Sequence, residues 1–121
     1  MNKTTLMRGL VAASTLVLAQ FACAHAYPRH QSPEAGATVS PAPHEVSIEF
    51  DDALEPAFSS ITVTDGQGKP VNSGKSAVDA GNKKLMKVAL ASLAPGSYTV
   101  AWVAVADDGH RTQGHYTFTV K

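Results

Sequence analysis

His25 follows Ala22-Cys23-Ala24, a small-x-small triplet of the kind that signal peptidases cut. Cleavage after Ala24 would turn His25 into an amino terminus carrying both a free α-amine and an imidazole. Those two nitrogens can close a chelate ring on one metal ion. An internal histidine, whose amide nitrogen keeps its proton, cannot. A soft-to-intermediate transition metal suits such a nitrogen pair. The second constellation is Asp108-Gly109-His110, where the glycine allows a tight turn and lets a carboxylate and an imidazole converge. Alone it is an ordinary hairpin dipeptide followed by a loop histidine. Combined with the His25 terminus it offers one amine, two imidazoles and one carboxylate. Cu(II) favours a plane of four nitrogen and oxygen donors. Zn(II) could take the same set tetrahedrally but stands below Cu(II) in affinity, and calcium or magnesium would want mostly oxygen.

The elements that must position these residues begin with a leader. Lys3 and Arg8 form a basic n-region, and Gly9 to Ala19 is an apolar h-region well short of the roughly 20 residues that a membrane span needs. Residues 1–24 are therefore read as a signal peptide and 25–121 as one domain, without membrane insertion of the mature chain. Cleavage after Ala26, where Ala24-His25-Ala26 is also small-x-small, is the competing cut and would remove the His25 site. The cut after Ala24 takes away Cys23, the sole cysteine, so the mature chain has no disulfide and no thiolate ligand. Its eight basic residues face ten acidic ones, a net charge of −2, with no basic tract. Nucleic acid and anionic membrane surfaces are not expected partners.

Along the mature segment the apolar residues alternate with period two. Val46, Ile48 and Phe50 form one such set, followed by Ile61 and Val63, then Met86, Val88 and Leu90. Tyr98, Val100 and Trp102 share one face of a strand whose other face carries Val103 and Val105, which marks it as central. Tyr116, Phe118 and Val120 close the chain. Asp65-Gly66-Gln67-Gly68, Ala94-Pro95-Gly96 and Asp107-Asp108-Gly109 read as turns, and residues 72–84 as a polar loop. The pattern predicts an all-β domain of about seven strands, a two-sheet sandwich or Greek-key barrel.

In order and spacing, several segments resemble the CopC/PcoC family of periplasmic copper-resistance proteins. They are His25-Ala26, Pro33-Glu34-Ala35-Gly36, Val46-Ser47-Ile48-Glu49-Phe50, Val63-Thr64-Asp65 and Gly68-Lys69-Pro70-Val71. Leu93 to Val100, Trp102, Asp108-Gly109-His110, Gly114 and Phe118-Thr119-Val120 continue the match. The resemblance implies a Greek-key β-sandwich of cupredoxin-like or immunoglobulin-like form. It also implies a Cu(II) site made by His25, Asp108 and His110. Founding members carry a methionine-rich loop for Cu(I). Here Met86 is the only methionine after the leader and lies in a strand pattern, which implies a Cu(II)-only protein. The segment Tyr27 to Gln31 also departs from the family pattern.

The expected function is a monomeric periplasmic carrier or buffer that binds one Cu(II) per chain in copper homeostasis or resistance. It is not an enzyme, because protein donors fill the copper plane. Family analogy suggests delivery to a CopD-type inner-membrane importer. Two alternatives compete: a copper oxidative enzyme with a histidine brace, and a structural β-sandwich that binds no metal. His44 reads as a surface residue, while His30 and His115 are surface residues or neighbours of the site. The acidic run Glu49, Asp51, Asp52 and Glu55 reads as a solvated strand end, lacking the spacing of a calcium loop.

Overall fold

A computed structural model of the protein describes residues 25–121. Residues 1–24, expected to be a leader ending in a cleavage triplet, lie outside the described residues. Eight strands make up the fold: β1 (Pro28–Ser32), β2 (Thr38–Val39), β3 (Glu45–Phe50), β4 (Ser60–Thr64), β5 (Ala77–Asp79), β6 (Asn82–Ala89), β7 (Gly96–Val105) and β8 (Arg111–Val120). A single 3₁₀ turn, Pro56–Phe58, is the only helical element among the described residues. No described helix is long and apolar enough to cross a membrane.

The strands form two four-stranded sheets, ordered β1-β3-β6-β5 and β2-β8-β7-β4. Only β5–β6 and β7–β8 are sequence neighbours within one sheet; every other connection crosses between the layers. The sheets stay separate, so the sandwich form of the expected architecture holds and no barrel closes. Eight strands stand against about seven expected, and two of them are short. β2 has two residues, paired parallel to the end of β8, and β5 has three.

Alternation in the sequence translates directly into the core. Val46, Ile48 and Phe50 of β3 point inward beside Met86 and Val88 of β6, with Ile48 opposite Met86 and Val46 opposite Val88. From the other sheet come Ile61, Val63, Tyr98, Val100, Trp102, Tyr116, Phe118 and Val120. Tyr98 stacks on Phe118 at 5.5 Å, and Phe50 meets Trp102 edge-on at 5.4 Å, the arrangements that aromatic quadrupoles favour. Trp102 lies opposite Gly114 on β8, and a Cβ at that glycine would sit 2.6 Å from the indole ring. The glycine is therefore a packing requirement of the tryptophan.

As expected, β7 is an interior strand, flanked by β8 and β4. Residues 72–84 are not a plain loop, however. Ala77–Asp79 pairs with β6, and the Asp79 carboxylate accepts the Gly81 amide hydrogen at 3.0 Å to close the hairpin. Ser76 Oγ accepts from the Ile61 amide at 2.9 Å, tying the segment to β4. An exposed edge strand needs no buried alternation, so polar composition hid it.

Candidate metal centre

The β7–β8 hairpin carries half of the centre. Its connection is short: Gly109 N–H donates to the Ala106 carbonyl at 2.8 Å, and Ala106 N–H donates to the His110 carbonyl at 3.0 Å. Gly109 has φ +87°, a left-handed conformation that an L side chain resists. Within this turn the Asp108 carboxylate makes two contacts with the same residue. Oδ1 accepts the His110 backbone N–H at 3.0 Å, and Oδ2 lies 2.7 Å from His110 Nδ1. An ionised carboxylate only accepts, so Nδ1 donates in the metal-free pair, and a metal taken at Nδ1 would displace that hydrogen. The His110 side chain is 50% exposed and that of Asp108 34%, so the pair faces solvent at the rim of the sandwich.

The amino-terminal segment supplies the other half. The Ala26 side chain is wholly buried in the core. Its carbonyl accepts a hydrogen bond of 2.5 Å from Thr112 Oγ1 on β8. Tyr27 N–H donates to Asp51 Oδ1 at 2.8 Å, and Asp51 N–H returns a bond of 2.9 Å to the Tyr27 carbonyl. These contacts bring His25 over the hairpin turn. Its ring centroid lies 5.1 Å from that of His110 and 6.0 Å from that of Tyr27.

His25, Asp108 and His110, distant in sequence, are thus neighbours in space. Yet among the described residues no three His, Cys, Asp or Glu side chains form a group able to hold a metal ion. The His25 α-amine, if freed by cleavage, would add a main-chain nitrogen to these side chains. The contact between Asp108 and His110 is suited to a shared ion. Two donors at right angles on a metal with bonds of about 2.0 Å stand about 2.8 Å apart.

The remaining histidines do not join this group. His115 is on the outward face of β8, opposite Ala101. His30 is exposed on β1 opposite Glu49, and His44 is exposed before β3. Met86 is fully buried between the sheets. The sequence reading missed Thr112 and Asp51 as neighbours of the centre. Thr112 gave one signal, since it falls on the inward face of β8 in phase with Tyr116 and Phe118. Asp51, read as part of a solvated acidic run, holds the amino-terminal segment instead.

The chain is thus a two-layer β-sandwich with an imidazole pair and a carboxylate at one rim. The CopC domain family matches residues 29–121, and the chain belongs to that family. It is 36% identical to protein YobA of Escherichia coli K12 over 118 residues, covering 97% of this chain and 95% of that one. The crystal structure of CopC from Methylosinus trichosporium OB3b superposes with a TM-score of 0.75 at 34% identity, over 80% of this chain and 94% of the other. PcoC of Escherichia coli, described as a methionine-rich copper resistance protein, gives 0.72 at 34% identity, over 81% of this chain and all of its own.

Proposed function

We propose that the mature chain is a periplasmic copper carrier or buffer that binds one Cu(II) without turning over a substrate. His25 would contribute its α-amine and imidazole, His110 a ring nitrogen and Asp108 a carboxylate oxygen. The observation that carries this reading is the 5.1 Å approach of the His25 and His110 rings beside the Asp108–His110 contact. The copper-resistance name of the related PcoC supports the choice of cargo. Burial of Met86 supports Cu(II) over Cu(I), because among the described residues no thioether reaches the rim.

The leader at 1–24 belongs to the same proposal. Ala26 supports the cut after Ala24 against the cut after Ala26. Its methyl fills the core and its carbonyl is bonded to Thr112, so the later cut would remove a folded residue. Four protein donors would occupy the copper plane and leave no equatorial position for a substrate, which supports binding without catalysis. Hand-off to a CopD-type importer by a monomeric carrier is consistent with a site open to solvent.

The test compares protein beginning at His25 with protein retaining one extra residue before it. Electron paramagnetic resonance of the first should show a tetragonal Cu(II) signal with several nitrogen couplings. Chelator competition should show the second to be far weaker. Equal affinity in both would remove the α-amine from the ligand set.

A further inference from the structure

The carbonyl of Ala26 and the N–H of Tyr27 belong to one planar peptide unit. Thr112 Oγ1, on β8, holds the oxygen end at 2.5 Å, and Asp51 Oδ1, just after β3, holds the hydrogen end at 2.8 Å. A single peptide is therefore gripped from both sheets of the sandwich. The buried Ala26 methyl fixes the adjoining Cα as well. With that Cα and that plane fixed, few backbone torsions separate the grip from the His25 donors. Orientation of the chelate is then settled before any metal arrives, which lowers the ordering cost of binding.

Thr112 has a less specific use available, a bond to its cross-strand partner. Ala104 stands directly opposite, but its carbonyl is 3.4 Å from Oγ1, a marginal distance beside the 2.5 Å contact with Ala26. An inward position on β8 otherwise calls for an apolar residue, and valine would fill the same volume. The short bond of this hydroxyl in the core is the one to the Ala26 carbonyl.

We propose that Thr112, assisted by Asp51, is a positioning residue for copper: it clamps the Ala26–Tyr27 peptide so that His25 meets His110 in a preset geometry. The inference rests on the copper reading above, but its structural half is measurable without metal. In protein beginning at His25, the T112V variant keeps the shape and loses the hydroxyl, while T112S keeps the hydroxyl. T112V should weaken Cu(II) binding by roughly tenfold or more, change the nitrogen couplings, and lose the nuclear Overhauser contact between the His25 and His110 rings in metal-free protein. T112S should retain the ring contact and most of the affinity. D51A breaks the grip from the exposed side and should show the same ring-contact loss even if T112V fails to fold. An intact ring contact and unchanged affinity in T112V would overturn the clamp. So would equal losses in T112V and T112S, which would mark a packing effect. H110A is the control on the copper reading. If it binds like the parent, that reading falls, and the ring contact in T112V and T112S still decides the clamp.

Discussion

The two ends of β7 each meet an Asp-Gly turn, and the two carboxylates are used differently. At the start of β7 lies the turn after β4, where Asp65 Oδ1 accepts the amide hydrogens of Gln67 and Lys69, both at 2.9 Å. That carboxylate closes its own loop. At the far end Asp108 accepts one backbone hydrogen with Oδ1 and turns Oδ2 onto the His110 ring at 2.7 Å. Both turns also use a left-handed glycine, Gly68 at φ +79° and Gly109 at +87°. What separates them is the residue that follows and the amino-terminal segment that docks beside only one of them. Asp-Gly is thus a structural motif that becomes a chemical one when an imidazole occupies the next position and a second donor arrives from elsewhere.

The largest expected effects come from the donors. H110A should weaken Cu(II) binding by several kcal/mol, the cost of removing one ligand from a chelating set, whereas H44A should leave it near zero change. D108N should lower affinity at least tenfold, while D65N should leave copper affinity untouched and cost about 1 kcal/mol of stability through lost turn bonds. Chelator competition and thermal melting on the same four variants separate the two ends. A copper defect in D65N would show that the turns are not independent.

A smaller effect follows from the two glycines. Nothing lies within 4 Å of a Cβ at Gly68 or Gly109, so alanine at either meets only backbone strain. G68A and G109A should each lose about 1 kcal/mol of stability. Only G109A should also weaken copper binding, because its turn aims the carboxylate and the imidazole. Equal copper affinities would show that the Asp108–His110 geometry tolerates a reshaped turn.

The smallest effect concerns two hydroxyls on the inward face of β8. Thr112 is bonded to Ala26, whereas the buried Tyr116 hydroxyl has no hydrogen-bond partner among the described residues. Burial pushes the Tyr116 phenol from 10.0 up to about 12, since the phenolate would be stripped of water. Between those values the unfolded chain has lost this proton and the folded chain still holds it. Stability is therefore undiminished by this group below pH 10 and falls as the pH rises from there to about 12. Y116F should remove that contribution to alkaline destabilisation and raise stability near neutrality by up to about 1 kcal/mol. Melting curves at pH 7 and pH 11 check both signs. A Y116F loss at pH 7 would reveal a partner for the hydroxyl, such as a buried water.

How much of this was legible in the chain depends on the reach of each interaction. The β3, β6, β7 and β8 cores were readable because Val46-Ile48-Phe50 and its counterparts carry a buried face in the local pattern itself. Edge strand β5 was not, since its backbone pairing with β6 imposes no side-chain alternation. The candidate donors were equally local in the chain: a histidine after a small-x-small triplet, and an aspartate two residues before another histidine. Folding decided what no local pattern encodes, that residues 25 and 110 face each other and that Thr112 and Asp51 grip the peptide between Ala26 and Tyr27. Those contacts join positions 24 to 86 residues apart and come from two sheets. Their partners are fixed only when the sheets pack and bury Ala26.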